Sequence, residues 1–176
     1  MKKVKILAII GSASKKSSNL KLIEAIQNYS DNVSMSVYDE LSLLPHFDTA
    51  FTIENTPEIV LEMRQKIEES DGIIFSSPEY IFSIPSGLKN LFEWCVSTIV
   101  FTNKPVAIIT ASSSGEKAHE ELQLILKTLG ANLEENTNLL IKGIKGKFDE
   151  NGKLNSETIV LLENLMEGFV KRVLNS

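Results

Sequence analysis

The sequence predicts an α/β sandwich, a mostly parallel sheet with helices on both faces. Three observations predict it. Short, nearly continuous apolar runs at Val4–Ile10, Gly72–Ser77 and Pro105–Ala111 read as strands buried on both faces, as in a parallel sheet. Stretches with helical spacing of apolar residues alternate with these runs. Each run gives way to a loop rich in Ser, Gly, Pro or Asn. No internal repeat or low-complexity linker breaks the alternation, and 176 residues suit one domain spanning 1–176.

The elements follow in order. Val4–Ile10, interrupted only by Lys5, is the first strand and ends at Gly11-Ser12. Leu20, Ile23, Ala25 and Ile26 then recur at roughly helical spacing. Val33, Met35 and Val37 alternate with Ser34, Ser36 and Tyr38, which predicts a strand with one more exposed face. Pro45–Pro57 carries the punctuation of a loop. Ile59, Met63 and Ile67 mark an amphipathic helix, with Glu58 at its positive end. Gly72–Ser77 is the next strand. Pro85 opens a helix, where a missing N–H costs nothing, and Leu88, Leu91, Phe92, Cys95 and Ile99 form its apolar stripe. Pro105–Ala111 is another inner strand. Gly115–Gly130 holds a helix with Leu122, Ile125, Leu126 and Leu129 inward, stopped by Gly130. Leu139–Ile141 reads as a short strand, and Lys145–Asn155 as a polar excursion with a turn at Asn151-Gly152. Glu157–Leu174 closes the chain as a helix with Val160, Leu161, Leu165, Phe169 and Val173 inward.

Composition narrows the function. The chain is 43% hydrophobic and 23% charged, with a net charge of -5. The mildly acidic balance excludes the basic footprint of a nucleic-acid binder. No apolar run reaches the roughly 20 residues of a membrane span. The first apolar run is short and lacks a small-residue cleavage site, so no signal peptide is expected. Cys95 is the single cysteine and His46 and His119 are the only histidines, which leaves no cysteine cluster and no multi-histidine metal site. The lone thiol fits a cytoplasmic protein. No catalytic acid–base pair or metal site is expected. Glu79 is the nearest ionisable candidate, and Cys95 on an apolar stripe reads as a small buried hydrophobe.

In a parallel sheet, ligands bind beyond the carboxyl ends of the strands, where the strand order switches. Three loops would meet there. The first, Gly11–Asn19, leaves a buried strand and opens a helix whose free N–H groups suit a phosphate. Hydroxyls of Ser12, Ser14, Ser17 and Ser18 and the Asn19 amide can add hydrogen bonds, or simply cap the helix. This loop contains neither G-x-x-x-x-G-K-[ST] nor G-x-G-x-x-G, so neither a nucleoside triphosphatase nor a dinucleotide fold is indicated. The second, Ser76–Asn90, is stiffened by Pro78 and Pro85 around an apolar tip of Tyr80, Ile81 and Phe82, fit to lie against a flat heteroaromatic ring or else to fill core. The third, Thr110–Gly115, is small and permits close approach of a ligand.

These residues resemble the NAD(P)H-dependent FMN reductase family of the flavodoxin-like fold, whose relatives act on quinones, chromate and azo dyes. Pro78-Glu79-Tyr80, then Ser83, Pro85, Leu88, Lys89 and Asn90, match the family's P-E-Y-N-x-S-x-P-x-x-L-K-N, with Trp94 as the following aromatic. Gly11, Ser12, Ser17 and Asn19 match its G-S-x-R-x-x-S-x-N. The resemblance covers nearly the whole chain. It implies a three-layer sandwich on a five-stranded parallel sheet in the order 2-1-3-4-5. It further implies bound FMN, NADPH or NADH as co-substrate, a small-molecule electron acceptor and a homodimer or homotetramer. Ser12, Ser14, Ser17, Ser18 and Asn19 would hold the FMN phosphate. Pro78, Glu79, Tyr80 and Ile81 would line the isoalloxazine, and Ser112, Ser113 and Gly115 would touch it from the other side. Leu88, Leu91, Phe92 and Cys95 are either core or part of a dimer seam, to which Trp94 and Phe101 would also contribute. Three positions depart from the pattern: Ser14 replaces the family's Arg, Ile81 its Asn, and Glu116–His119 its glycine-rich continuation. The flavin would carry the redox chemistry and the protein would supply binding and orientation. The competing reading is an FMN-binding electron carrier without reductase activity of its own. A fold that has lost its cofactor is the third.

Overall fold

A computed structural model describes residues 3–51 and 55–176. Five strands, β1 (Val4–Ile10), β2 (Val33–Tyr38), β3 (Gly72–Ser77), β4 (Pro105–Ser112) and β5 (Asn132–Lys142), form one sheet. The order is β2-β1-β3-β4-β5 and every pairing is parallel. This is the flavodoxin-like order that the resemblance implies. Five helices connect the strands: α1 (Ser18–Ile26), α2 (Glu58–Glu69), α3 (Ser86–Cys95), α4 (Glu116–Thr128) and α5 (Ser156–Leu174).

Strand alternation divides the core into two layers. Leu7 and Ile9 of β1, Ile73 and Phe75 of β3, and Val106 and Ile108 of β4 face α2, α3 and α4. Ile6, Ala8 and Ile10, with Ile74, Ala107 and Ile109, face α1 and α5. Both faces of the three inner strands are therefore covered. That is why their sequences read as nearly continuous apolar runs.

Five expectations shift. The strand placed at Leu139–Ile141 begins at Asn132. An edge strand hydrogen-bonds on one side only, so Glu134, Glu135 and Asn136 are tolerated there and mask the strand signal. Its register against β4 breaks between Val106 and Ile108. In α1 the buried residues are Leu22, Ile23 and Ile26, while Ala25 faces solvent. In α5, Val160 and Leu161 are exposed, and Thr158, Leu162, Leu165, Met166, Phe169 and Val173 point inward. Four consecutive apolar residues, Ile159–Leu162, leave hydrophobicity alone unable to choose the face. Ile99 lies beyond the end of α3 and is exposed. Trp94 and Phe101, assigned to a dimer seam, are buried inside the chain, Trp94 against Phe47 and Phe101 against Phe75. The Pro45–Pro57 loop is described except for residues 52–54.

Candidate functional site

The strand order reverses between β1 and β3, and the loops leaving β1, β3 and β4 share one edge of the sheet. At Gly11 the chain passes so close to β3 that a Cβ would stand 2.4 Å from Ser77 Oγ, so only glycine fits. Gly11 N–H donates to Ser76 O at 2.8 Å, which carries the ladder one residue past β1.

The first loop divides into a lock and a free surface. Asn19 is the lock. Its Nδ2 donates to Ala111 O at 3.1 Å, and Ser76 Oγ donates to its carbonyl at 3.0 Å, with its Oδ1 3.2 Å away. A buried amide thus ties the first turn of α1 to the ends of β3 and β4. Ser17 caps α1, its Oγ accepting from Leu20 N–H at 3.1 Å. The Ser17 hydroxyl keeps its own proton to donate. Ser12 Oγ accepts from Ser14 N–H at 3.2 Å. The N–H groups of Ala13, Lys15 and Lys16 meet no acceptor among the described residues. Those of Ser18 and Asn19 lie in the first turn of α1, where no intrahelical partner exists.

The second loop is a tight hairpin. Tyr80 N–H donates to Ser83 O at 2.9 Å and Ser83 N–H to Tyr80 O at 3.1 Å. The two residues between them, Ile81 and Phe82, have φ of 50° and 59°. Both sit in the left-handed region, which costs a β-branched or bulky side chain energy. They are also 95% and 77% exposed. Two carboxylates hold this hairpin against α4. Glu79 accepts from Gly115 N–H at 3.3 Å and from Ala118 N–H at 3.0 Å, capping the helix from outside. Glu121 reaches back from α4 and accepts from Ser83 Oγ at 2.7 Å and Ile84 N–H at 2.9 Å. Glu79 therefore fastens the second loop to the third. Tyr80 Oη lies 3.2 Å from Ser12 Oγ and bridges the first and second loops.

The third loop turns at Gly115, φ 87°, where a Cβ would press on Leu140 at 3.0 Å. Ser113 O accepts from Gly143 N–H at 3.1 Å, and the Ser113 side chain is exposed. Behind the loop, His119 Nδ1 pairs with Thr110 Oγ1 at 2.8 Å. Burial holds the His119 imidazole below its ordinary value, while Glu120 pulls the other way. Cys95 is inert: burial pushes its thiol up to about 12, against the opposing pull of Arg64.

A cleft of about 270 Å³ opens at the β1 side of this edge. Of the candidate cofactor-binding residues, Ser12, Ser14 and Tyr80 line it, together with the motif residues Gly11, Pro85 and Asn90. Ser17, Ser18, Asn19, Pro78, Glu79, Ile81, Ser112, Ser113 and Gly115 stand outside its walls. The opposite wall is the segment after β2, with Asp39, Leu41, Leu44 and His46, of which the sequence reading singled out only His46, as one of the two histidines. The signal was available. β2 pairs in parallel with β1, so the chain leaving β2 must emerge at the same sheet edge. Glu121 was missed for another reason, because its spacing within α4 marks it only as a helix-surface residue.

The fold and site bring known proteins into comparison. The family model described as NADPH-dependent FMN reductase matches residues 4–142. This chain belongs to that family. Among its relatives is the NADH-dependent flavin reductase subunit 2 of Lactobacillus johnsonii, 33% identical, with 97% of each chain covered. Another is the NADH:(hydroxy)cinnamate reductase subunit CrdA of Vibrio ruber, 32% identical over 93% of this chain and 84% of that one. Among solved structures, the NAD(P)H:(acceptor) oxidoreductase FerB of Paracoccus denitrificans superposes with a TM-score of 0.85 over 98% of both chains, at 23% identity. That likeness speaks to the fold.

The residues present fit the FMN of an FMN reductase. The unpaired N–H groups of Ala13, Lys15 and Lys16, the first turn of α1 and the Ser17 hydroxyl are donors that could hold a dianionic phosphate. Lys15 and Lys16 supply positive charge at the loop where the family's Arg is replaced by Ser14. The hairpin backbone, held by Glu79 and Glu121, offers a firm wall beside it.

Proposed function

We propose that this chain is an FMN-dependent oxidoreductase that takes reducing equivalents from NADH or NADPH and passes them to a small-molecule acceptor such as a quinone, dye, metal ion or free flavin. The supporting observation is the set of unpaired N–H groups in the first loop, beside a hairpin clamped by two carboxylates, at the point where the strand order reverses. The whole chain, 1–176, works as one FMN-binding domain.

When bound, FMN supplies hydride acceptance and delivery. The protein's own residues bind and orient. Ser12, Ser14, Ser17 and Ser18, with the free loop N–H groups, hold the phosphate. Asn19 keeps α1 in register with β3 and β4, so that these donors face the sheet edge. Pro78, Glu79, Tyr80 and Ile81 line the ring on one side, and Ser112, Ser113 and Gly115 on the other. Glu79 acts there through its bonds to Gly115 and Ala118 and moves no proton.

The same reading extends to assembly. Ile81, Phe82, Val96, Ile99 and Leu124 are exposed, and an apolar groove of about 300 Å³ runs between α3 and α4. Val96 and Leu124 line that groove, and an exposed apolar groove marks an interaction site. We assign it to a homodimer seam in a cytoplasmic protein. Two of the relatives are named as subunits, so a distinct partner chain is the alternative occupant.

The test is direct. Purified protein mixed with FMN should give the flavin visible spectrum after gel filtration, and anaerobic NADH or NADPH should bleach it. Retention of FMN without bleaching would establish the electron-carrier reading instead. No retention would overturn both.

A further inference from the structure

The wall of the cleft opposite the first loop is better fixed than a surface connection needs to be. Asn90 of α3, itself buried, grips the chain on either side of His46. Its Nδ2 donates to Pro45 O at 2.9 Å, and its Oδ1 accepts from Phe47 N–H at 2.8 Å. Trp94, one turn further along α3, donates its indole N–H to the same Pro45 carbonyl at 2.7 Å. The Phe47 ring stands edge-on to Trp94 at 5.2 Å. Four interactions from one helix thus hold residues 45 and 47. Between them His46 is exposed and lines the cleft with Ser12, Ser14 and Tyr80.

Loops run free unless their backbone is satisfied by something rigid, and a binding group gains from being held in place. Here the backbone is held on both sides of one residue, and that residue is the only imidazole on the cleft. Asp39 and Lys15 are the charged groups that share the walls with it. The floor and rim add Leu41, Leu44 and Pro85, which are apolar or ring-shaped. The cleft thus sets one held imidazole beside the apolar surface of Leu41, Leu44 and Pro85.

We propose that His46 is a specificity-determining residue for the electron acceptor. Its imidazole hydrogen-bonds a ring carbonyl oxygen and so selects quinone-type acceptors over ions without such an oxygen. This rests on the flavin-reductase reading above and adds the acceptor class to it.

Two measurements on FMN-loaded protein test it. The chain has two histidines, so imidazole NMR shows two sets of signals, assigned by His46→Leu. Duroquinone added without any nicotinamide should shift the His46 signals and leave those of His119, behind the third loop, in place. In steady state, the ratio of kcat/KM for duroquinone to kcat/KM for ferricyanide should fall about five- to tenfold in His46→Leu, the loss of one hydrogen bond. His46→Gln, which keeps a donor, should recover most of that ratio. Unmoved His46 signals overturn the proposal, and so does an unchanged ratio in His46→Leu. In either case FMN uptake and nicotinamide-dependent bleaching stand as separate readouts, so the parent reading survives if they are normal and falls, with this proposal, if they are absent.

Discussion

Asn19 shows how the side chain of a motif residue can be spent inside the protein. The resemblance assigns it to the phosphate, yet its side chain is taken up by Ala111 and Ser76 inside the protein. Asn19→Ala should therefore act first on stability. It strands the Ala111 carbonyl in a buried setting, while the Ser76 hydroxyl keeps the backbone carbonyl of residue 19, and should cost about 1–3 kcal/mol in urea unfolding. A loss of FMN affinity with full stability would reverse that assignment. Ile81 makes the opposite case. Its φ of 50° suits the family's Asn far better than a β-branched side chain. Ile81→Asn should stabilise the monomer by about 1 kcal/mol in urea unfolding. A destabilised variant would mean that the exposed side chain makes contacts that outweigh the turn strain. The residue scale was also where the sequence was least legible. The motifs located the loops and named Glu79, but not its counterpart Glu121. Glu79 reads as part of a motif and Glu121 as helix surface, and only the docking of α4 reveals them as a pair.

At the scale of elements, α4 is the part that holds two loops at once. Its N-terminus is capped by Glu79, its second turn grips the hairpin through Glu121, and His119 secures it to β4 through Thr110. His119 makes this docking pH-dependent. Burial lowers its folded value below the ordinary 6.5, so the folded chain binds fewer protons than the unfolded one. The stabilisation is complete above 6.5 and declines as pH falls through the folded value. Between about pH 7.5 and about pH 5.5, urea unfolding should show a larger loss of stability for the wild type than for His119→Gln. Equal losses would show that the imidazole titrates as it does unfolded. Elements were the most legible scale. The inner strands announced themselves because both their faces are buried, and the helices by their spacing. The first half of β5 and the inward face of α5 did not. An edge strand needs no apolar alternation, and four consecutive apolar residues carry no period.

For the molecule as a whole, the arrangement explains how so few reactive side chains can support a redox role. Cys95 is buried and held protonated, and His119 is committed to Thr110, which leaves His46 as the one imidazole open to the cleft. Reactivity is left to a bound group, and the chain invests its polar atoms in shaping one sheet edge. The apolar groove between α3 and α4, with exposed Val96 and Leu124 in its walls, is the other feature of this scale. On the homodimer reading, Leu124→Asp in that groove should shift the chain to a monomer by light scattering, with the fold intact by circular dichroism. Persistence of the wild-type assembly would place the seam elsewhere. The strand order and the polar strand ends were both legible from the sequence and its resemblance. The wall after β2 was not, because it follows from parallel pairing of β2 with β1 rather than from any local pattern.

The central claim is that the first loop and the start of α1 bind the phosphate of FMN at the strand-order switch. Fluorescence titration of the apoprotein with FMN and with riboflavin, which lacks only the phosphate, tests it most directly. Several charge-assisted hydrogen bonds predict FMN binding at least about 100-fold tighter. Equal affinity for the two would contradict the claim.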